Sequence, residues 1–350
     1  MQKEIILPNH VIGESQPVFV IAEAGVNHNG DLDLARKLID VAADAGVDAV
    51  KFQTFRAEKL VTSSAKQAAY QTRNTGAEES QLEMLKRLEL PYEAHADLKT
   101  YAEGKGLVFM STPFDEEAID FLFDLGVCIF KAGSGELTNL PYLKKMADKG
   151  IPLILSTGMA VMEEIQQAVD VVLATGNDKL ALLQCTTNYP AAYEDANLNA
   201  MGTLQREFRT VIGYSDHTEG IIAPVTAVAM GATIIEKHFT LDRNLPGPDH
   251  KASLEPDELT EMMRQIRLVE TMKGTGEKIP TQSEKEISGV ARKSIVAAFD
   301  IPAGTMLTAE MLVAKRPGSG ISPARMDDVV GKVAKRDIPK DDLLGGEDFE

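Results

Sequence analysis

Short β-branched apolar runs alternate with longer amphipathic segments through the first three quarters of the chain. This is the sequence form of parallel strands joined by helices. Eight runs fit the strand template: VFVIAE (18–23), DAVKFQT (48–54), LVFMST (107–112), VCIFKAG (127–133), IPLILST (151–157), LALLQCT (180–186), TVIGYSDH (210–217) and ATIIEKH (232–238). The segments between them carry helical periodicity. In LDLARKLIDVAADAG, Leu34, Leu38, Val41 and Ala45 fall on one face and Gly46 supplies the stop. A doubly wound sheet has roughly five to seven strands, so eight strand-helix units point instead to an α/β (β/α)₈ TIM barrel.

Several segments depart from the repeat. KEIIL and HVIGE, separated by Pro8 and Asn9, read as a hairpin across the bottom of the barrel. Between Thr54 and the helix expected near Pro91 lies a long connection containing QTRNTGAEESQ, which reads as a lid, a binding loop or a disordered segment. After a last helix at 256–272, KGTGEKIPTQSEKE has the composition of a linker. The expected organisation is a barrel domain over 1–272, a linker over 273–286 and a small strand-rich domain over 287–350. That tail shows no segment long enough for a robust helix. Its size makes it marginal alone, so it is expected to dock on the barrel or on another subunit.

Charge narrows the partners. The 350 residues hold 36 Lys+Arg against 53 Asp+Glu, a formal net charge of −17. Nucleic acids and anionic membranes both require clustered Lys and Arg, so neither is an expected partner. The apolar stretch 221–235 is broken by Pro224 and Gly231 and is too short to span a bilayer. The first residues carry acids where a signal peptide has a basic start, and Cys128 and Cys185 make no metal or redox spacing, so a cytoplasmic protein is expected.

The active site of such a barrel lies at the C-terminal strand ends. These ends are polar throughout: Glu23; Lys51 and Gln53; Thr112; Lys131, Ser134 and Glu136; Ser156; Thr186, Thr187, Asn188 and Tyr189; Ser215, Asp216 and His217; Glu236, Lys237 and His238. Two lysines among several hydroxyls form an anion pocket for phosphate or carboxylate in an otherwise acidic chain. His217 and His238 end adjacent strands and suit one divalent cation. With water or substrate oxygens completing the set, Mn²⁺ or Co²⁺ fits better than structural zinc. Such a cation polarises a carbonyl, and Glu23, Glu136 and Glu236 are acid–base candidates. Cys185, without a nucleophile's usual companions, reads as buried packing.

Eight motifs then appear in order: IAEAGVNHNG (21–30), VKFQT (50–54), KAGSGE (131–136), LSTGM (155–159), CTTNYP (185–190), GYSDHT (213–218), EKHFT (236–240) and GPDH (247–250). Together they resemble the bacterial sialic acid synthase family, which includes N-acetylneuraminate and legionaminate synthases. The tail resembles the SAF, or antifreeze-like, domain of those enzymes. The resemblance implies condensation of phosphoenolpyruvate with the open-chain aldehyde of an N-acylated mannosamine-type sugar, aided by Mn²⁺, with Mg²⁺ or Co²⁺ as alternatives. It also implies roles for residues. Lys51, Thr112, Lys131, Ser134, Ser156, Thr187 and Ser215 match positions that hold phosphoenolpyruvate, with Asn188 the alternative to Thr187. Glu23, Gln53, Tyr189 and Asp249 match sugar-binding positions, and Glu136 and Glu236 match carboxylates near the reacting atoms. Arg316 matches an arginine that reaches the sugar from the tail of the other subunit in a domain-swapped homodimer. The expected sugar is N-acetylmannosamine, giving N-acetylneuraminate. The alternatives are the 6-deoxy diacetamido precursor of legionaminate and a phosphorylated sugar, for which Arg56 and Arg73 are spare cations. A non-catalytic ice binder would show an array of threonines, but the tail has only Thr305 and Thr308.

Overall fold

A computed structural model describes residues 1–75 and 79–350. The chain forms two compact units, Met1–Gly274 and Thr275–Glu350.

The first unit opens with the hairpin, β1 (Glu4–Ile6) antiparallel to β2 (Val11–Gly13), with Ile5 opposite Ile12. Eight parallel strands follow: β3 (Phe19–Gly25), β4 (Ala49–Thr54), β5 (Val108–Pro113), β6 (Phe130–Ala132), β7 (Leu153–Ser156), β8 (Leu180–Cys185), β9 (Val211–Asp216) and β10 (Ile234–His238). Their hydrogen-bonded order is β5-β4-β3-β10-β9-β8-β7-β6, and β5 also lies beside β6. The last strand therefore pairs with the first, His238 opposite Glu23, as a barrel requires and an open sheet does not.

Side chains alternate across each strand. Phe19, Ile21, Met110, Ile154, Leu183, Val211 and Ile234 point inward and form one apolar cluster with Ile5, Leu7 and Ile12 of the hairpin. The intervening residues, such as Val20, Val50, Phe109 and Ile235, meet the helices in a second cluster. Inside the barrel β9 runs so close to β10 that a Cβ on Gly213 would lie 2.4 Å from the Ile234 carbonyl oxygen. The helix Leu32–Ala45 starts where the Asp31 carboxylate accepts from the N–H groups of Asp33 and Leu34, and it stops at Gly46, whose φ of 75° is left-handed. It buries Ala35, Leu38, Ile39, Ala42 and Ala45. Its alanines bring this face close to the strands and leave Leu34 and Val41 half-buried at the margin.

The connection after β4, read as a lid, a binding loop or a disordered segment, is largely ordered in its described residues. It carries helices Ala57–Leu60, Ala69–Thr75 and Gln81–Leu88. The last begins at a reciprocal cap in which Ser80 and Glu83 satisfy each other's backbone N–H. Val26, Phe55, Ala57, Met84, Leu85 and Leu88 give this segment its own small core. Residues 76–78 of QTRNTGAEESQ lie outside the described residues.

The second unit begins with a helix, Gln282–Ala291, that starts inside the stretch read as a linker. Thr281 and Glu284 cap it reciprocally, and none of its residues is buried. β11 (Ser294–Ala297) and β12 (Leu312–Lys315) pair antiparallel, and isolated bridges tie Ile301 to Ile338 and Met306 to Val333. Ile295, Ile301, Leu307, Val329, Ile338 and Leu344 share its core. No helix among the described residues is long and apolar enough to cross a membrane.

Candidate active site

The alternation that fills the lower barrel with apolar side chains places Glu23, Lys51, Gln53, Thr112, Lys131, Ser156, Ser215, His217, Glu236 and His238 on the same inward face, one layer higher. Asp216 and Lys237 stand on the opposite face and belong to the scaffold. Their ion pair, 2.5 Å long, is fully buried. Asp216 also accepts from the Tyr214 hydroxyl and from the Thr218 N–H and hydroxyl, and Lys237 donates to the Thr218 carbonyl.

Two lysines and two glutamates interlock at the mouth. Lys51 lies 2.7 Å from Glu23 and 3.8 Å from Glu236, and Lys131 lies 3.4 Å from Glu236. Lys51 donates to the Thr112 hydroxyl at 2.9 Å and Lys131 to that of Ser156 at 2.8 Å. Ser215 donates to Glu236 at 2.9 Å, and Gln53 donates to Glu23 at 3.1 Å. Burial opposes every charge here, and neighbours decide the outcome. Glu23 is pushed up to about 7 by desolvation, against the pull of Lys51 and with the repulsion of Glu236. Burial also opposes ionisation of Glu236, yet Lys131 and Lys51 hold its pKa below the ordinary carboxylate value. Burial lowers the Lys131 ammonium.

Beside this cluster, the Gly158 N–H donates to the Ser134 hydroxyl at 3.0 Å. A Cβ at Gly158 would lie 2.7 Å from that oxygen and 2.4 Å from the Thr187 hydroxyl, so the glycine leaves space where two hydroxyls converge. Asn188, the alternative to Thr187, instead accepts from the N–H of Tyr189 at 3.1 Å. Glu136 does not join the other two carboxylates. The one-turn 3₁₀ segment after β6 aims it at the start of the next helix, where it accepts from Asn139 at 2.9 Å.

The two histidines come together with their ring centroids 5.3 Å apart. His217 Nδ1–H donates to the Thr186 carbonyl at 2.7 Å, which leaves the lone pair on Nε2. Burial, followed by the nearness of His217, keeps the His238 imidazole neutral, and its Nδ1 is buried with no hydrogen-bond partner. Burial opposes a charge on His217, but Cys185 and the Thr186 carbonyl raise its pKa, so a cation would compete with a proton at its Nε2 and take the unpartnered His238 Nδ1 as it stands. Among the described residues no group of three His, Cys, Asp or Glu is placed to hold one, so a two-histidine site would keep several positions open to substrate and water. Cys185 is buried with its Sγ 3.8 Å from His217 Nδ1. The Tyr189 ring lies 4.0 Å from that of His217 and meets His238 edge-on at 5.5 Å. Asp249 is buried, and desolvation pushes its carboxyl up to about 6 against the pull of His217.

Some participants escaped the sequence reading. Tyr70, on the helix Ala69–Thr75, stacks on Tyr189 at 5.1 Å. One turn later Asn74 donates to the Pro248 carbonyl at 2.6 Å. The NHNG segment turns out to clasp the loop bearing Asp249. Asn27 donates to the Phe239 carbonyl and to the Ser253 hydroxyl, which donates to the Asp249 carbonyl, while His250 sits between Thr240 and Asn29. Of the spare cations, Arg56 lies 4.8 Å over the Tyr92 ring. Arg316 is exposed in the second unit, where its Nε donates to the Ala291 carbonyl at 2.9 Å.

Comparison with known proteins identifies the family of the chain. The NeuB family profile matches residues 38–278 and the SAF domain profile matches residues 292–350. The chain is 49% identical over 327 residues to the N,N'-diacetyllegionaminic acid synthase of Campylobacter jejuni, covering 93% of this chain and 98% of that one. It is 50% identical over 323 residues to the enzyme of the same name from Legionella pneumophila, covering 91% of each. The N-acetylneuraminic acid synthetase of Leptospira borgpetersenii, solved with citrate, superposes with a TM-score of 0.73 at 39% identity, covering 82% of this chain and 95% of that one. The chain belongs to the NeuB family, the sialic acid and legionaminate synthases, and is a phosphoenolpyruvate-dependent C–C bond-forming transferase with a C-terminal SAF domain.

Proposed function

We propose that the protein is an N,N'-diacetyllegionaminate synthase, condensing phosphoenolpyruvate with the 6-deoxy diacetamido mannose-type sugar. One observation carries the choice of sugar: about half of all positions are identical to two synthases of that name across nearly their whole lengths. The sequence had pointed first to N-acetylmannosamine, because both sugars present the same aldehyde and the motifs at the strand ends serve that shared part.

In this reading Lys51 and Lys131 hold the anionic groups of phosphoenolpyruvate, with hydroxyls from Thr112, Ser134, Ser156, Thr187 and Ser215 as donors. His217 and His238 would hold the divalent cation, Mn²⁺ first and Mg²⁺ or Co²⁺ next, which supplies Lewis-acid polarisation of the aldehyde. C3 of phosphoenolpyruvate bonds to the aldehyde carbon, whose oxygen takes a proton. Water adds at C2, and departure of inorganic phosphate leaves the 2-keto acid. Glu23, with a pKa of about 7, is suited to hold or release a proton at neutral pH. Glu236, kept ionised between the lysines, is suited to balance positive charge developing at C2. Gln53, Tyr189 and Asp249 are the sugar-binding set. The same proposal includes a homodimer in which Arg316, exposed in its own unit, completes the site of the other subunit. A phosphorylated sugar would require a further cationic clamp, and of the two spare cations, Arg56 and Arg73, the first lies over the Tyr92 ring.

The test is phosphate release from phosphoenolpyruvate with Mn²⁺ and, in parallel, the 6-deoxy diacetamido sugar, N-acetylmannosamine and its 6-phosphate. The diacetamido sugar should show the highest kcat/KM. A preference of more than about tenfold for either of the others refutes the assignment.

A further inference from the structure

The sugars that such a site must tell apart share an aldehyde and a 2-acylamido group and differ only at the far end, at C4 and C6. A residue that discriminates them must therefore stand away from the histidines, yet within reach of a substrate anchored there. Tyr189 packs on His217 at 4.0 Å, and Tyr70 stacks on Tyr189 at 5.1 Å. The two contacts put the Tyr70 ring no more than about 9 Å from that of His217, a separation comparable with the length of an extended six-carbon sugar chain.

From this geometry we infer that Tyr70 is a specificity-determining residue that reads the distal, C4–C6 end of the sugar, and that it favours a 6-deoxy, 4-acetamido end. The inference rests on the proposed function. Three features of the surroundings support it. Tyr70 is half-buried, and its helix is fastened to the loop that carries Asp249 by the 2.6 Å bond from Asn74 to the Pro248 carbonyl. Burial, followed by the nearby carboxylate of Asp249, raises the Tyr70 phenol. An aromatic face accepts a methyl group or the plane of an acetamide, and a buried carboxylate accepts an amide N–H. A hydroxymethyl or phosphate group gains little from that pair. Residues 55–90 belong to no strand–helix repeat, so this wall can vary without disturbing the barrel that holds the shared chemistry.

The experiment compares the wild type with Tyr70→Ala and Tyr70→Phe in the full-length protein, using phosphate release with the 6-deoxy diacetamido sugar, N-acetylmannosamine and its 6-phosphate. Tyr70→Ala should lower kcat/KM for the diacetamido sugar by about 10- to 100-fold. The loss should lie mainly in KM, with preference over N-acetylmannosamine narrowed and KM for phosphoenolpyruvate within about twofold of wild type. Tyr70→Phe, which keeps the ring, should retain the wild-type preference. An unchanged ratio between sugars in Tyr70→Ala overturns the inference, as does a KM for phosphoenolpyruvate that rises in step with that for sugar. The proposed function fails separately, on the wild type alone, if that enzyme prefers another sugar. Tyr70 is then still judged by whether its loss changes that preference.

Discussion

If Lys51 and Lys131 hold phosphoenolpyruvate as proposed, Glu23 should make its binding a proton-linked event. With both carboxylates ionised, the two lysines and two glutamates at the barrel mouth sum to zero; with Glu23 protonated, the cluster carries one positive charge. A pKa of about 7 places Glu23 at the balance point. An arriving dianion shifts that balance, because a unit charge about 4 Å away interacts by about 4 kcal/mol at an effective dielectric of 20. One pKa unit corresponds to about 1.4 kcal/mol. Binding should therefore hold Glu23 fully protonated. The free protein is about half protonated at pH 7 and about one tenth at pH 8, so binding should take up about 0.5 and about 0.9 proton at that residue. The protonated form tolerates the anion, so affinity is at its full value well below pH 7 and falls by up to about tenfold per pH unit above it. Titration calorimetry in two buffers of different ionisation enthalpy counts these protons. The phosphate of the ligand titrates as well, so the quantity to read is wild type minus Glu23→Gln. Equal proton counts in the two proteins would refute the reasoning, as would net release by Glu23.

Three further outcomes follow from the geometry. His217→Ala or His238→Ala should lower activity more than about 100-fold and abolish stoichiometric Mn²⁺ binding measured by metal analysis, without changing the far-ultraviolet spectrum. Gly158→Ala places a methyl group 2.4 Å from the Thr187 hydroxyl and 2.7 Å from that of Ser134, so KM for phosphoenolpyruvate should rise about tenfold or more, with a loss of about 1–3 kcal/mol in denaturant unfolding. Asp216→Asn leaves Lys237 charged and fully buried, and should cost about 3–5 kcal/mol by denaturant unfolding. The double change Asp216→Leu with Lys237→Met should recover part of that loss.

The repeating part of the molecule was legible because burial imposes a period. Inward positions such as Ile21, Ile154 and Ile234 had to be apolar in the lower barrel, so the strands and their polar C-terminal ends could be read together. The hairpin was visible for the same reason, through Ile5 and Ile12. The segment 55–90 resisted because its helices are short and its polar residues mask them. The Ser80–Glu83 cap was present in the sequence but unread. Tyr70 carried no periodic signal, and its stacking on Tyr189 spans 119 positions, a distance no local pattern encodes. Glu136 shared the motif and polarity of its neighbours, and only the turn after β6 decided that it faces Asn139. The helix Gln282–Ala291 buries none of its residues, so its segment lacks the apolar stripe that sets a helix apart from a linker.

The apolar filling of the lower barrel, sealed beneath by Ile5, Leu7 and Ile12, also governs traffic. With the floor closed, the lysines are reached from the mouth. Lys51 and Lys131 lie at its bottom with 3% of their surface exposed, while Thr187 and Tyr70 stand nearer the rim. A ligand seated on the lysines must arrive before anything that settles above it.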